Sequence, residues 1–277
     1  MSQTPKDVSL TSAAGTNRGL VRSLNEDTVL SKFPVFVVAD GMGGHSAGDM
    51  ASQMVAATLE PLAGRTDVTV KEALELTQSA QERVSDLADS LPNGAGSTLT
   101  GLIAVKEPGQ PAAWLVVNIG DSRTYRKTGG TLTQVTVDHS LVQEMVDAGT
   151  ISREEAATHP ERNVITRALG DRDSRVDAWT TAMVPGETFL IASDGLTGAV
   201  AEDEMLRVLE QDLALRDRTV ALIEKALEAG GKDNISVVLV ETAGDQPTVS
   251  SPFVPVGTDE PDDVTIPRSG KRGNSNG

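Results

Sequence analysis

Four apolar runs of this chain carry an aspartate at or near one end: Asp40 in FVVADGMGG, Asp121 in VVNIGDSR, Asp194 in FLIASDGLTG and Asp233 in GGKDNISVVLV. Short runs of β-branched and aliphatic residues bounded by Gly and Asp read as buried strands. If the strands are neighbours in one sheet, four carboxylates converge at its edge, where they can hold hard divalent cations. Taken singly, Asp-Gly after a strand is an ordinary turn signal. A turn does not require the same residue at four strand ends.

The rest of the composition narrows the chemistry. Cysteine is absent, which removes thiolate zinc sites, disulfide scaffolds and every cysteine nucleophile, that of the thiol-dependent phosphatases included. The three histidines, at positions 45, 139 and 159, form no pair at helical ligand spacing. A zinc hydrolase of the HExxH kind is thereby excluded, and oxygen ligands for Mg²⁺ or Mn²⁺ become the default metal chemistry. His139 and His159 read as polar loop residues.

With 24 basic against 40 acidic residues the net charge is −16, which repels phosphate backbones and anionic lipid. No nucleic-acid or membrane partner is expected, and a phosphorylated ligand binds only where metal ions or a local arginine reverse the field. No apolar stretch reaches the roughly 18 to 20 residues of a membrane span, and MSQTPKDVSLTSAAG lacks a signal-peptide pattern. A soluble, cytoplasmic monomer is expected.

Along the 277 residues, strands are expected at 8–13, 28–31, 35–39, 98–105, 113–118 and 122–127. Helical apolar periods cover 47–63 and 70–91, an antiparallel pair able to lie over a sheet. Gly129-Gly130 marks a hairpin. Segment 140–170, with a short helix from Ser152, reads as an insertion over the sheet and a candidate mobile lid. Strands resume at 174–181 and 188–192, helices at 202–213 and 217–229, and 235–241 closes a domain spanning 1–242. The Pro-, Ser-, Thr-, Gly- and Asp-rich stretch 243–277 reads as a disordered tail. Elements in blocks rather than strict alternation point to antiparallel or mixed sheets. Two stacked sheets with a helix pair on each outer face use every element.

Other patterns fail on spacing or context. DGMGGHSAGDMAS opens a helix with a Gly-rich turn, yet Ser46 stands where a dinucleotide fingerprint needs its third glycine. A turn that brings the Gly41 carbonyl to a cation beside Asp40 explains these glycines better. No serine sits in a G-x-S-x-G elbow. Asp171 and Asp173 follow RALG rather than a buried strand, a weak setting for an aspartyl phosphate. In GLVRSLNEDTV, Arg22 lies a short turn before Glu26 and Asp27, so a phosphate-matching guanidinium and further carboxylates can share one cleft.

GLVRSLNED, VVADGMGGHSAGDMAS, GSTLTG, VVNIGDSR, ASDGL and KDNISVV together resemble, in order and spacing, the motifs of the metal-dependent protein phosphatases (PPM, protein phosphatase 2C type) in their bacterial form. The resemblance spans about 8–241. It implies an α+β, four-layer αββα sandwich, two central antiparallel sheets flanked by antiparallel helix pairs, and hydrolysis of phosphoserine and phosphothreonine in proteins. It further implies that Asp40 bridges two Mn²⁺ or Mg²⁺ ions, with the Gly41 carbonyl on one and Asp194 and Asp233 on the other. Glu26 would be a ligand through water, Asp27 an acid behind the ligands, Asp121 the holder of a third ion, and Arg22 the phosphate-binding residue. The partners implied are phosphoserine and phosphothreonine proteins, a Ser/Thr kinase among them.

Two departures accompany the resemblance. Met42 stands where animal members carry a histidine acid, and His45 is too far along to replace it, so the leaving alkoxide is expected to take its proton from water on a metal, the third ion being a candidate host. The chain also stops after a short tail, where some bacterial relatives continue into a membrane span, and a free cytoplasmic enzyme is expected. Thr265 in EPDDVTIPR is a candidate phosphorylation site, with a solvated tail as the plainer reading. A phosphoprotein-binding regulator that has lost catalysis and a metal-stabilised structural module are the competing readings. The intact ligand set argues against the first, and Arg22 beside it against the second.

Overall fold

The computed structural model describes residues 9–43, 47–244 and 250–256. Strands β1 (Leu10–Asn17), β2 (Asp27–Lys32) and β3 (Val35–Met42) precede helices α1 (Ala47–Leu59) and α2 (Val70–Ser90). Then come β4 (Gly96–Ser97), β5 (Leu99–Val105), β6 (Ala113–Ile119), β7 (Arg123–Thr128), β8 (Thr131–Gln134) and two short helices, α3 (Leu141–Asp147) and α4 (Arg153–Thr158). The chain continues through β9 (Asp177–Ala182), β10 (Thr188–Ala192), α5 (Asp194–Thr197), α6 (Glu202–Leu209), α7 (Leu215–Glu228), β11 (Ile235–Thr242) and β12 (Val254–Pro255). One sheet runs β1-β11-β10-β7-β8 and the other β12-β9-β6-β5-β3-β2, with β4 beside β3.

The period-two alternation of the strands sorts their side chains into three cores. In β3, Val35, Val37 and Ala39 pack with Ala51, Val55 and Leu59 of α1 and Val84 of α2. Phe36 and Val38 point the other way, into a core shared with Trp114, Phe189, Val238 and Val240 between the sheets. β11 repeats this on the far side, with Ile235, Val237 and Leu239 against Val208 of α6 and Leu222 and Ala226 of α7. Strands buried on both faces have no polar face to show, which is why they read as continuous apolar runs. Trp114 meets Phe36 edge-on at 6.0 Å and Phe189 at 5.9 Å, and since Phe189 belongs to the opposite sheet, the three rings stitch the layers together. The result is the αββα sandwich of the α+β class that the block pattern anticipated.

Local chemistry sets the helix ends. Thr69 accepts the Glu72 N–H at the start of α2. Ser152 and Glu155 form a reciprocal capping box on α4, so the helix expected from Ser152 begins there. Pro61 lies in a single 3₁₀ turn that ends the α1 stretch short of residue 63. β1 runs further than expected, to Asn17, because an edge strand of Thr, Ser, Ala and Gly shows little apolar alternation.

Segment 140–170 is pinned at its base. The Leu141 N–H donates to the Val164 carbonyl at 2.9 Å, the Thr166 N–H to that of His139 at 2.9 Å, and Leu169 and Ser97 exchange both bonds. Beyond that base α3 buries only Val142 and α4 buries nothing, the low packing that made the segment a candidate lid.

The expectation of a featureless tail from 243 does not hold for residues 250–256. Val254 pairs with Thr180 and Pro255 with Trp179 on the edge of β9, and the Val256 N–H donates to the Ala178 carbonyl at 3.0 Å. Arg126 sits 4.5 Å over the Phe253 ring and donates to the Ser251 carbonyl at 2.8 Å. Proline, which argued against a strand, is tolerated on an edge. Residues 245–249 and 257–277, Thr265 among them, and 1–8 and 44–46, with His45, lie outside the described residues.

Phe253 covers the rim of the inter-sheet core and stacks under a cation. Phe253→Ala is expected to lower the unfolding free energy by about 1–2 kcal/mol, measured by urea denaturation of the full chain. An unchanged midpoint and slope would show that the segment is not docked in solution.

Candidate metal centre

The strand order carries the acidic residues to one end of the sandwich. Asp40 lies near the C-terminal end of β3, Asp121 follows β6, Asp194 follows β10, and Asp233 precedes β11, which runs antiparallel to β10. Asp27 opens β2 directly opposite Asp40 in the β2–β3 register. The Asp40 carboxyl is held well above the usual range by burial, and then by the charges of Asp27, Asp194, Asp121 and Asp233. Burial pushes Asp27 up to about 6 and Asp121 to about 7, with the Asp194 charge adding to both. Asp194 is raised by burial and by Asp233.

Close backbone approach makes this convergence possible. A Cβ at Gly41 would stand 2.0 Å from the Gly48 carbonyl oxygen and 2.7 Å from that of Glu26, so the end of β3 can lie against the start of α1 only as glycine. Gly48 in turn leaves room for the Glu26 carboxylate, whose Oε1 would be 2.8 Å from a Cβ there. These glycines serve a tight β–α junction. At the opposite wall a Cβ on Gly195 would meet the Asn234 carbonyl oxygen at 1.9 Å, so the turns bearing Asp194 and Asp233 touch only because that side chain is missing.

Small polar residues then fix the backbones that carry the acids. Thr98 accepts the Asp40 N–H through Oγ1 at 2.9 Å, returns its own N–H to the Asp40 carbonyl at 2.8 Å, and shares a 2.9 Å bond with Ser122, next to Asp121. The Ser193 hydroxyl donates to Asp27 Oδ2 at 2.8 Å. Asn234 accepts the Glu26 N–H at 2.8 Å and donates to the carbonyls of Arg18 and Leu24, both at 2.9 Å. It thereby staples the loop carrying Arg22 to the turn carrying Asp233. None of these three was singled out in the sequence, although GSTLTG, ASDGL and KDNISVV contain them; for Ser193 and Asn234 the available signal was a hydroxyl or amide adjoining a strand-end aspartate, and Thr98 had none.

Arg22, half exposed, places Nη2 2.8 Å from Asp233 Oδ2, and its pKa is raised chiefly by that bond, with Asp194 and Asp40 adding to it. Among the described residues no three Asp, Glu or His side chains are gathered closely enough to hold an ion as they stand. The donor set nonetheless fits a hard divalent cation: it is all oxygen, crowded with acids that burial discourages from ionising, and Asp27 Oδ1 is buried without a partner.

The histidines have other tasks. His139 is a polar residue of the loop between β8 and α3, as it read in the sequence, and it is buried there. Its Nδ1 accepts the Gly120 N–H at 3.1 Å, which leaves the proton on Nε2 to meet Asp177 Oδ2 at 3.1 Å. Arg167 holds the other Asp177 oxygen at 2.8 Å, so this network ties the loop before Asp121 to β9. His159 caps α4 and accepts the Glu161 N–H at 3.2 Å. Asp171 closes its own turn by accepting from Ser174 and from the Asp173 N–H.

A profile of the family described as protein phosphatase 2C matches residues 17–241. The chain belongs to the protein phosphatase 2C family. Among curated relatives, the serine/threonine phosphatase stp of Listeria welshimeri is 36% identical over 241 residues, covering 82% of this chain and 93% of the relative. Among solved structures, the Mycobacterium tuberculosis serine/threonine phosphatase PstP/Ppp superposes with a TM-score of 0.79 at 35% identity, over 86% of this chain and all of that one. The catalytic domain of PstP in complex with two manganese ions gives 0.77 at 33% identity, over 86% and 99%. For a 2C-family chain, carboxylates crowded at the sheet edge are the expected setting of metal dependence.

The raised acids set a pH dependence. Each holds its proton to higher pH in the folded state than in the unfolded chain. The folded state therefore binds more protons, and the stability present below the ordinary carboxylate range is lost as pH rises through about 6 to 7, the values of Asp27 and Asp121. In EDTA the melting temperature should fall between pH 5 and pH 8, and millimolar Mn²⁺ should restore more of it at pH 8, where it competes with fewer protons. A melting temperature that rises over this interval in EDTA, with no larger Mn²⁺ effect at pH 8, would overturn the assignment.

Proposed function

We propose that the protein hydrolyses phosphoserine and phosphothreonine side chains of proteins with two Mn²⁺ or Mg²⁺ ions, opposing serine/threonine kinases in bacterial signalling. The observation that carries this reading is the placement of Arg22 against Asp233, beside a partly buried cluster of four further acids. In this reading Asp40, Asp194, Asp233 and the Gly41 carbonyl hold the two ions, Glu26 a ligand water, and Asp121 a third ion. The mycobacterial structure with two manganese ions supports that number. Bound there, the cations would lower the pKa of a shared water and neutralise phosphoryl charge.

The chain's own residues do the rest. Arg22 uses one nitrogen on Asp233 and keeps other N–H donors of its fork for the non-bridging phosphoryl oxygens, which orients the ester for in-line attack by water. The P–O bond to the seryl or threonyl oxygen breaks, releasing inorganic phosphate and the free hydroxyl. Asp27, hydrogen-bonded by Ser193, backs Asp40 across the β2–β3 pair and adds negative charge where cations must stay. Met42, half-buried at the end of β3, has no proton to give, so the leaving oxygen takes its proton from water on the Asp121 side.

The catalytic domain is assigned to 1–242, with β12 (Val254–Pro255) as an added edge strand. The enzyme acts as a monomer in this reading and works in the cytoplasm, where serine/threonine kinases make its substrates. Among the described residues no helix is long and apolar enough to cross a membrane.

With p-nitrophenyl phosphate and a phosphothreonine peptide, turnover should require Mn²⁺ and vanish in EDTA. Asp194→Asn should lower kcat by about 10³-fold and Arg22→Ala should lower kcat/KM on the peptide by about 10- to 100-fold. Full turnover by Asp194→Asn, or turnover in EDTA, would reject the enzyme reading. Asp121→Ala should leave metal dependence in place but lower kcat on the peptide; unchanged peptide activity at every Mn²⁺ concentration would remove Asp121 from the mechanism.

A further inference from the structure

A cavity of about 420 Å³ opens beside the acidic cluster, within the range of about 300–1,000 Å³ usual for ligand sites. Asp121 and Asp194 line it on one side, and Gln143, Arg153, Arg162 and Asn163 of the insertion line it on the other. It therefore runs from two acids of the cluster, Asp121 and Asp194, to the insertion.

The charges on that surface are unevenly spent. Arg123, also on the wall, is consumed by Asp138, which it meets at 2.9 Å through Nε and 2.6 Å through Nη2. Arg153 and Arg162 form no ion pair among the described residues, unlike Arg126, Arg167 and Arg172. Arg162 gives only a long bond of 3.4 Å to the His159 carbonyl. Arg153 is the first residue of α4, where the helix dipole disfavours a cation. Ser152 and Glu155 already complete the cap, so helix stability gives no reason for an arginine there. In a chain of net charge −16, two uncommitted guanidinium groups facing a cavity call for an anion. Glu202 is the one carboxylate on the wall outside the acidic cluster and the Arg123 pair.

We propose that Arg153 and Arg162 form an anion subsite that reads an acidic or second phosphorylated side chain flanking the phosphoresidue in the substrate. The proposal rests on the phosphatase reading and specifies its substrate class. Both arginines are exposed, so the preference is of modest size and screened by salt.

The test uses the full chain with Mn²⁺ and three phosphothreonine peptides that differ only in flanking residues, which are Gln, Glu or a non-hydrolysable phosphonate analogue of phosphothreonine. The readout is the ratio of kcat/KM between anionic and Gln-flanked peptides. It should be about 5 to 10 in the wild type, fall close to 1 in Arg153→Gln/Arg162→Gln, and rise in Glu202→Gln. A ratio raised by both anionic flanks assigns a general anion subsite, and one raised by the phosphonate alone a phosphate subsite; either supports the proposal. A wild-type ratio near 1, or a ratio that survives the double substitution, overturns the subsite while turnover of the Gln-flanked peptide keeps the phosphatase reading intact. No Mn²⁺-dependent turnover of any peptide or of p-nitrophenyl phosphate sinks both.

Discussion

The structure depends on one unfavourable interaction, the mutual repulsion of carboxylates forced together at a sheet edge. Asp40 is buried in the field of Asp27, Asp121, Asp194 and Asp233. Two unit charges about 4 Å apart repel by roughly 4 kcal/mol at an effective dielectric of about 20. No rearrangement of the strands relieves this cheaply. Asp27 faces Asp40 by register, and a slip of one residue would turn Val35, Val37 and Ala39 away from the helices and expose them to the wrong core. The acids are held by the hydrophobic packing of the strands that carry them, and only protons or cations remain to neutralise the cluster.

The surroundings remove the softer escapes. Gly41 against Gly48 and Gly195 against Asn234 bring backbones into contact where a side chain would have propped them apart. Thr98 and Asn234 then bind these backbones with hydrogen bonds, and Ser193 holds the Asp27 carboxylate. His139, buried between Gly120 and Asp177, anchors the loop before Asp121 to the neighbouring strand. The one compliant acid is Asp233, which lies at the rim and leans on Arg22. The repulsion falls on Asp40 and its neighbours, whose backbones are held in place, and a fixed set of acids is what a preorganised ion site requires.

How much of this was legible in the sequence follows from the distance over which each residue acts. The four aspartates were legible because each adjoins its own apolar run, and the layers because a strand buried on both faces lacks polar alternation. Asn234 was not, since its partners, Arg18, Leu24 and Glu26, lie more than 200 positions away. Thr98 and Ser193 look like any hydroxyl at a strand end. The loop position of His139 was legible but its burial was not, for the same reason: its partner, Asp177, is 38 positions further on. Strand β12 escaped because two residues, one of them proline, carry no periodicity, and its partner strand β9 lies more than 70 positions earlier.

Arg22 links the two halves of the problem, an acidic cluster that needs positive charge and an anionic substrate that must approach an acidic chain. Its Nη2 is committed to Asp233, and the same guanidinium is the group nearest the cluster able to receive a phosphoryl oxygen. Any cation that takes Asp233 as a ligand competes with Arg22 for that oxygen and frees a donor. The freed donor then adds to the field that attracts phosphate. By linkage the effect is reciprocal: a phosphate group that draws Arg22 away leaves Asp233 with more negative charge to offer a cation. An ion that engaged Asp233 and a phosphate that engaged Arg22 would thus favour each other's binding through one salt bridge.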